Sequence, residues 1–174
     1  MELHAIGLAQ GTAPATEIIV GAGEMKVARD PSVPLAALSL GSSIAVLVYD
    51  SHVRVGGIVR ILLPQSFVSG KTIRENPFLF ASTGIPDLLN QCAKWGGRKD
   101  RLDCYLVGGA DFMNGSVGLR LGRDNHESAV EVFRRLRLNI RNEWTGGIEN
   151  RSVRLHLGDG RVVVTTPRSK VLAA

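Results

Sequence analysis

The chain has 174 residues, of which 44% are hydrophobic and 21% charged, with a formal net charge of +5 and a pI near 9.7. This composition is typical of one globular domain with a sizeable core, and it excludes a low-complexity chain. No apolar run approaches the roughly 20 residues that span a bilayer, and residues 1–4 lack the regions of a secretory signal, so we expect a cytoplasmic protein without direct membrane insertion.

The elements are predicted in chain order from the hydrophobic pattern. Residues 1–16 show no period and are expected to form a flexible leader, residues 17–166 a single domain, and residues 167–174 a flexible tail. Strands are predicted at 17–20, 36–40, 44–49, 58–63 and 102–107. Gly41 and the Gly56-Gly57 pair are expected to form turns between them. Residues 64–80 are predicted to form a long loop.

Two helices are predicted. Ile85, Leu88, Leu89 and Cys92 share one face of the first. The second is predicted to start with Asn125 as its N-cap. Alternation over 153–157, a glycine turn and the apolar segment 161–165 predict a hairpin. Many strands with only two main helices favour the α+β class, with mixed or antiparallel sheets packed as a sandwich and the helices outside.

Cysteine usage and charge restrict the function classes. Cys92 and Cys104 lack metal-ligand spacing and are expected to be buried free thiols in a reducing cytoplasm. The densest basic segment, 134–141, lies at the end of a predicted helix, where cations favour the helix dipole. Binding of nucleic acid is one hypothesis for this basic chain, but no aromatic residues alternate with the basic ones to support it. We therefore expect no nucleic-acid partner, no cofactor and no metal.

Two neighbouring segments carry the most specific pattern in the chain. They are Ala37-Leu38-Ser39-Leu40-Gly41-Ser42-Ser43-Ile44-Ala45-Val46 and Gly56-Gly57-Ile58-Val59-Arg60-Ile61-Leu62-Leu63-Pro64. Together they resemble the signature of the CheD family of chemoreceptor glutamine deamidases, which reads T-L-G-L-G-S-C-V-A-V and then G-G-x-A-H-x-M-L-P. Short glycine-rich elements in family order at 21–25, 76–86, 108–113, 122–125 and 143–153 extend the resemblance over most of the chain.

The resemblance implies a fold, a substrate and partners. The fold is an α+β sandwich also seen in the catalytic domains of deamidating bacterial toxins. The substrate is glutamine on the cytoplasmic part of methyl-accepting chemotaxis receptors, and a CheC-type phosphatase is an implied second partner. The implied pocket backbone comprises Gly41, Ser42, Gly56 and Gly57.

The three reactive positions of the family pattern are substituted here. Ser43 stands at the nucleophilic cysteine, Arg60 at the histidine and Ala37 at the threonine. Deamidation by a cysteine uses a thiolate formed beside a histidine, which also shuttles protons. A serine hydroxyl depends on an adjacent base, and a guanidinium offers donors only. The sequence therefore predicts a catalytically degenerate protein that acts by binding receptors or a CheC-type phosphatase.

An active or residually active glutamine deamidase is the alternative. It would need a different base or nucleophile, and His52, Cys92 and Cys104 are the candidates. The expected state of His52 is an exposed loop histidine, and that of both thiols is burial. Neither His126 nor His156 has an evident partner, and His4 lies in the predicted leader.

Arg60 has two possible roles of its own. Its guanidinium could bind a carboxylate of a receptor or partner bidentately, or it could form a structural salt bridge with an interior acid.

Overall fold

A computed structural model describes residues 16–64, 75–111, 120–168 and 170–173, which form ten strands and two α-helices. The strands are β1 (Ile18–Ile19), β2 (Met25–Ala28), β3 (Leu35–Leu40), β4 (Ile44–Asp50), β5 (Val55–Ile61), β6 (Asp103–Gly108), β7 (Asn142–Thr145), β8 (Arg151–Leu155), β9 (Val162–Thr165) and β10 (Lys170–Ala173). The α-helices are α1 (Ala81–Lys94) and α2 (Leu121–Leu136), and short 3-10 helices cover Pro77–Leu79 and Lys99–Arg101.

The strands form two five-stranded sheets. The order in the first sheet is β1-β3-β8-β9-β10, and the order in the second is β2-β5-β4-β6-β7. The pairs β1–β3 and β6–β7 are parallel, and the remaining pairs are antiparallel. The central strand β4 is buried along its whole length, as its continuous apolar run predicts.

Alternation along the strands of the second sheet creates two cores. Ala45, Leu47 and Tyr49 of β4 pack between the two sheets, together with residues of β3, β8 and β9. The intervening residues, among them Val46 and Val48, pack against α1 and α2. Both helices therefore cover the outer face of the second sheet. The predicted α+β sandwich with two outer helices is confirmed.

The glycine pair Gly56-Gly57 lies inside β5 and not at a turn. A Cβ on Gly56 would lie 2.5 Å from the Leu157 side chain, and one on Gly57 would lie 2.6 Å from the Leu88 side chain. The pair therefore lets the neighbouring sheet and helix α1 approach the backbone closely, because a larger residue at either position would collide with its neighbour. The turn between β4 and β5 is formed by residues 51–54, so the expected glycine turn was wrong.

The predicted start of the second helix was also wrong. Helix α2 begins at Leu121, and Asn125 lies within it, buried at 0% relative exposure. The first turn is instead capped from outside, because Asp111 accepts a 2.9 Å hydrogen bond from the Gly122 N–H. The β8–β9 hairpin is confirmed.

The structure differs from the predicted elements in some segments and does not describe others. The sequence did not predict strands β2, β7 and β10, and β10 pairs with β9 within the predicted tail. Residues 1–15 of the predicted leader and 65–74 of the predicted loop lie outside the described residues. Among the helices that the structure describes, none is long and apolar enough to cross a membrane.

Candidate functional site

The turn that presents Ser43 is held by backbone hydrogen bonds from the end of β6. The Ala110 N–H donates to the Gly41 carbonyl at 2.8 Å, and the Gly109 N–H donates to the Ser43 carbonyl at 2.9 Å. Gly108 must be glycine here, because it has φ +114 and a Cβ would lie 2.2 Å from the Ser43 carbonyl oxygen. The position of Ser43 at the start of β4 is thus fixed by the fold.

A buried asparagine of helix α2 holds the same turn from the other side. The Asn125 side-chain amide donates to the carbonyl of Ser42 at 3.0 Å and to that of Leu62 at 2.9 Å. Leu62 follows β5, so one side chain ties together the entrance of β4 and the exit of β5. The sequence suggested a helix cap for Asn125, because its tertiary partners are remote in the chain.

The Arg60 side chain reaches across the sandwich from β5 to β3. Its Nε–H donates to Ser43 Oγ at 3.2 Å, while its two terminal nitrogens donate to the carbonyls of Leu38 at 3.0 Å and Ser39 at 3.2 Å. These carbonyls lie where the pairing of β3 with β8 shifts register. Arg60 therefore connects the two sheets at the end of the sandwich that carries Ser43.

The positive charge of Arg60 has no acidic partner among the described residues. Its hydrogen-bond acceptors there are two neutral carbonyls and one hydroxyl. Burial lowers the pKa of the Arg60 guanidinium. The segments outside the described residues contribute Glu2 as their one acidic side chain. The predicted salt bridge with an interior acid is thus absent from the described part of the chain.

Ser43 has no base within hydrogen-bond reach in the part of the chain that the structure describes. It is 6% exposed, and the hydrogen bond found for its side chain comes from Arg60. Segments 65–74 and 112–119 contain no histidine or acidic residue. A guanidinium remains protonated in proteins and cannot accept the proton of an attacking hydroxyl.

His52 lies at the opposite end of the β4–β5 hairpin. Its Nδ1 is 4.0 Å from Asp50 Oδ1, and its side chain is 69% exposed. Asp50 ends the strand that begins one residue after Ser43, and at about 3.3 Å per residue that strand places them roughly 20 Å apart. The expected exposed position of His52 is confirmed, and the structure excludes it as the base for Ser43.

The histidine on helix α2, His126, does have a partner. His126 Nε2 lies 2.5 Å from Glu143 Oε2 on β7, which corrects the expectation that it had none. His126 borders a cavity of about 220 Å³ lined also by Asp111 and Arg123. Ser43 and Arg60 do not line that cavity. His156 also has an interaction partner, so the expectation that it had none was wrong as well.

Both cysteines are buried, as predicted. They belong to the core between the second sheet and the helices, and burial raises the pKa of each thiol to about 12. A thiol with such a pKa has almost no thiolate at neutral pH, and the thiolate is the nucleophile. Cys92 and Cys104 are therefore unsuited to replace the missing nucleophile.

Of the remaining predicted site residues, Ala37 lies near Arg60, whereas Gly56 and Gly57 lie away from Ser43. Ala37 lies on β3 next to the Leu38 carbonyl that Arg60 contacts, with its side chain fully buried between the sheets. Gly56 and Gly57 pair with Tyr49 and Val48, towards the end of the sheet away from Ser43. The structure thus brings Gly41, Ser42, Ser43 and Arg60 together, and it does not bring Gly56 and Gly57 to them.

Ser39 is a site feature that the sequence analysis missed. Its φ is +52, in the left-handed region that favours glycine. This serine stands where the family pattern T-L-G-L-G has its first glycine. The departure was visible in the sequence, but its meaning depends on the backbone conformation.

Comparison with known proteins identifies the family. A family model described as CheD chemotactic sensory transduction matches residues 62–166. A protein of Solibacter usitatus named probable chemoreceptor glutamine deamidase CheD is 34% identical over 146 residues, covering 84% of this chain and 86% of that relative. The chain belongs to the CheD family.

Two further CheD relatives agree. A protein of the same name from Methanococcus maripaludis is 38% identical over 145 residues, which is 83% of this chain and 91% of the relative. A CheD 2 protein from Anaeromyxobacter dehalogenans is 36% identical over 147 residues, which is 84% of this chain and 92% of the relative. The segment matched by the CheD family model begins after Arg60, so it does not include Ser43 or Arg60.

Proposed function

We propose that this CheD-family chain binds chemoreceptors in the cytoplasm without deamidating their glutamines. One observation carries the proposal: Ser43, which stands at the nucleophile position, receives a 3.2 Å hydrogen bond from the Arg60 side chain and has no base beside it among the described residues. An attacking hydroxyl must lose its proton, and the described residues around Ser43 offer no group to take it.

The expected loss of rate is large. In a nucleophile–base pair the two groups act as a unit, so removing either one eliminates most of the catalysis. Here both are replaced, and the conformation of the turn does not compensate, because the missing step is proton transfer. We therefore expect no glutamine turnover above the spontaneous background.

The intact scaffold supports a binding role. The Ser43 turn keeps its hydrogen bonds from Gly109, Ala110 and Asn125, although the reactive side chains are absent. The relatives from Solibacter and Anaeromyxobacter carry the name chemoreceptor glutamine deamidase, which makes chemoreceptors the first partner to test. A CheC-type phosphatase, which the family resemblance implies, is the second.

A deamidation assay tests the absence of activity. The purified protein is incubated with the cytoplasmic fragment of a chemoreceptor, and peptide mass spectrometry measures conversion of glutamine to glutamate. We expect the same conversion with wild type, with Ser43→Ala and without protein. Conversion by wild type that disappears in Ser43→Ala would contradict the proposal.

An active deamidase is the alternative, because the names of the relatives describe that activity. If turnover occurs, iodoacetamide distinguishes two routes. Inhibition would indicate Cys92 or Cys104 as the nucleophile, whereas turnover that resists alkylation but requires Ser43 would indicate the hydroxyl. Binding to the receptor fragment and to a CheC-type phosphatase is measured separately by calorimetry, so that binding and turnover are judged independently.

A restoration experiment tests whether only the reactive side chains are missing. Arg60 faces the inter-sheet side of β5, like Ile58 two residues earlier, so a histidine at position 60 would extend towards Ser43. We expect Ser43→Cys with Arg60→His to gain measurable deamidation, and Ala37→Thr to complete the family set. A triple variant that folds and remains inactive would show that the pocket itself differs.

A further inference from the structure

The arginine at the candidate site has no counter-charge among the residues that the structure describes. Charges removed from water are normally paired with an opposite charge, because desolvation of a lone ion is unfavourable. Arg60 is partly buried, and the described residues offer it three neutral acceptors and no carboxylate. The described part of the protein therefore holds a cation in place without supplying its counter-ion.

The guanidinium is also fixed in orientation. It has five N–H groups, of which three donate to Ser43, Leu38 and Ser39. Two N–H groups remain without an acceptor among the described residues. Because the other three hold the planar group in one position, little side-chain freedom would be lost when a ligand binds.

The hydroxyl of Ser43 adds a donor of the same kind. Its oxygen accepts from Arg60 Nε–H, and no acceptor for its own hydrogen is found among the described residues. The free groups at this point are therefore donors. A carboxylate can accept from all of them, whereas a carboxamide would direct its NH₂ group at donors and leave one unpaired.

Solvent can reach this part of the molecule. Ser39 is exposed, and Gly41, Ser42 and Arg60 are each partly exposed. A side chain from another protein can therefore approach the guanidinium from the end of the sandwich where β3 and β5 meet. These observations concern the site of the proposed function, and they specify what that site recognises.

We infer that the Ser43–Arg60 site binds a side-chain carboxylate, namely the glutamate form of the receptor segment whose glutamine form is the substrate implied for the family. This inference rests on the proposed receptor-binding role and adds a ligand class to it. The protein would then recognise the product of glutamine deamidation, and would report the deamidated state of a receptor without creating it.

The test compares two forms of one chemoreceptor cytoplasmic fragment, with either glutamine or glutamate at the modified positions. A charge-assisted hydrogen bond contributes roughly twice as much as a neutral one, so we expect the glutamate form to bind about tenfold more tightly by calorimetry. Arg60→Gln is expected to remove this preference. Arg134→Gln is the matched control, since it removes an exposed positive charge on α2 that pairs with Glu131.

Each outcome is decisive. Equal binding of the two forms by wild type, or tighter binding of the glutamine form, would overturn the carboxylate inference while the receptor-binding proposal stands. Binding of neither form would overturn both. If Arg60→Gln does not fold, the wild-type preference decides, and Arg60→Lys, which retains the charge but not the planar fork, is expected to weaken it.

Discussion

Because Arg60 lies close to position 43, we can predict the pKa of a cysteine placed there, and the test needs no partner protein. A Ser43→Cys variant places a thiol where the Arg60 Nε–H now lies 3.2 Å from the serine oxygen. A cation beside a thiol stabilises the thiolate, so we expect the pKa of the introduced thiol to fall below the ordinary value of about 8.5. Burial raises the pKa of Cys92 and Cys104 to about 12, which gives internal references in the same molecule.

The difference in reactivity can be estimated. At pH 7.5, a thiol of pKa about 8.5 has roughly three thousand times the thiolate fraction of a thiol of pKa about 12. The more basic thiolate is intrinsically more nucleophilic, by about 40-fold over this interval, so the net advantage of the introduced thiol is on the order of a hundredfold. Arg60 increases the thiolate fraction of the introduced thiol, and Cys92 and Cys104, at 1% and 0% exposure against 6% for Ser43, are less accessible to the reagent.

The assay is alkylation by iodoacetamide over pH 6–9.5, followed by digestion and mass spectrometry of each cysteine peptide. We expect the thiol introduced by Ser43→Cys to be labelled first, with a pH midpoint that rises when Arg60→Gln is added. Labelling at position 43 no faster than at Cys92 and Cys104, or a midpoint indifferent to Arg60→Gln, would refute the geometry on which the proposed function depends.

Three further predictions concern stability. Asn125→Ala leaves two partly buried carbonyls without their donor, and we expect a loss of about 2–4 kcal/mol, seen as a melting temperature lower by roughly 5–15 °C. Ser39→Gly removes the strain of a serine in the left-handed region, but glycine loses more backbone entropy on folding. We expect the free energy of unfolding in urea to rise by up to about 1 kcal/mol, and a clear decrease would contradict this. Burial would raise the pKa of Asp50, but hydrogen bonds from Arg98, Arg101 and His52 hold it below its ordinary 3.8. Its stabilisation is therefore present above that value and lost as pH falls through the lower folded-state pKa, so the stability difference between wild type and Asp50→Asn should shrink in acid.

Much of the sandwich could be predicted because its central strands carry strong local patterns. The buried strand β4 and the alternating strand β8 were predicted within a residue or two, since a continuous apolar run and a period of two are direct consequences of burial. The short edge strands β2, β7 and β10 were missed, because a few residues on the border of a sheet have no pattern of their own and form strands only through their neighbours.

For the candidate site too, part could be predicted from the sequence and part could not. The residue types at positions 43 and 60 could be compared with a family pattern, and the lack of a base at position 60 followed from the chemistry of arginine alone. The contacts could not be predicted. Asn125 has the sequence features of a helix cap, yet its partners are 83 and 63 residues away in the chain. Arg60 was assigned either a carboxylate or a salt bridge, whereas the described residues satisfy it with two carbonyls and a hydroxyl.

The link that Arg60 makes between β5 and β3 has an evolutionary consequence. Its three hydrogen bonds contribute on the order of 2–4 kcal/mol, a substantial part of the roughly 5–15 kcal/mol that typically separates folded from unfolded domains. A lineage that exchanged Arg60 for histidine would lose this support at once, even though the histidine would place a base beside Ser43. If the proposed function holds, the arginine therefore opposes a return to catalysis, because the base could be gained only together with a loss of stability.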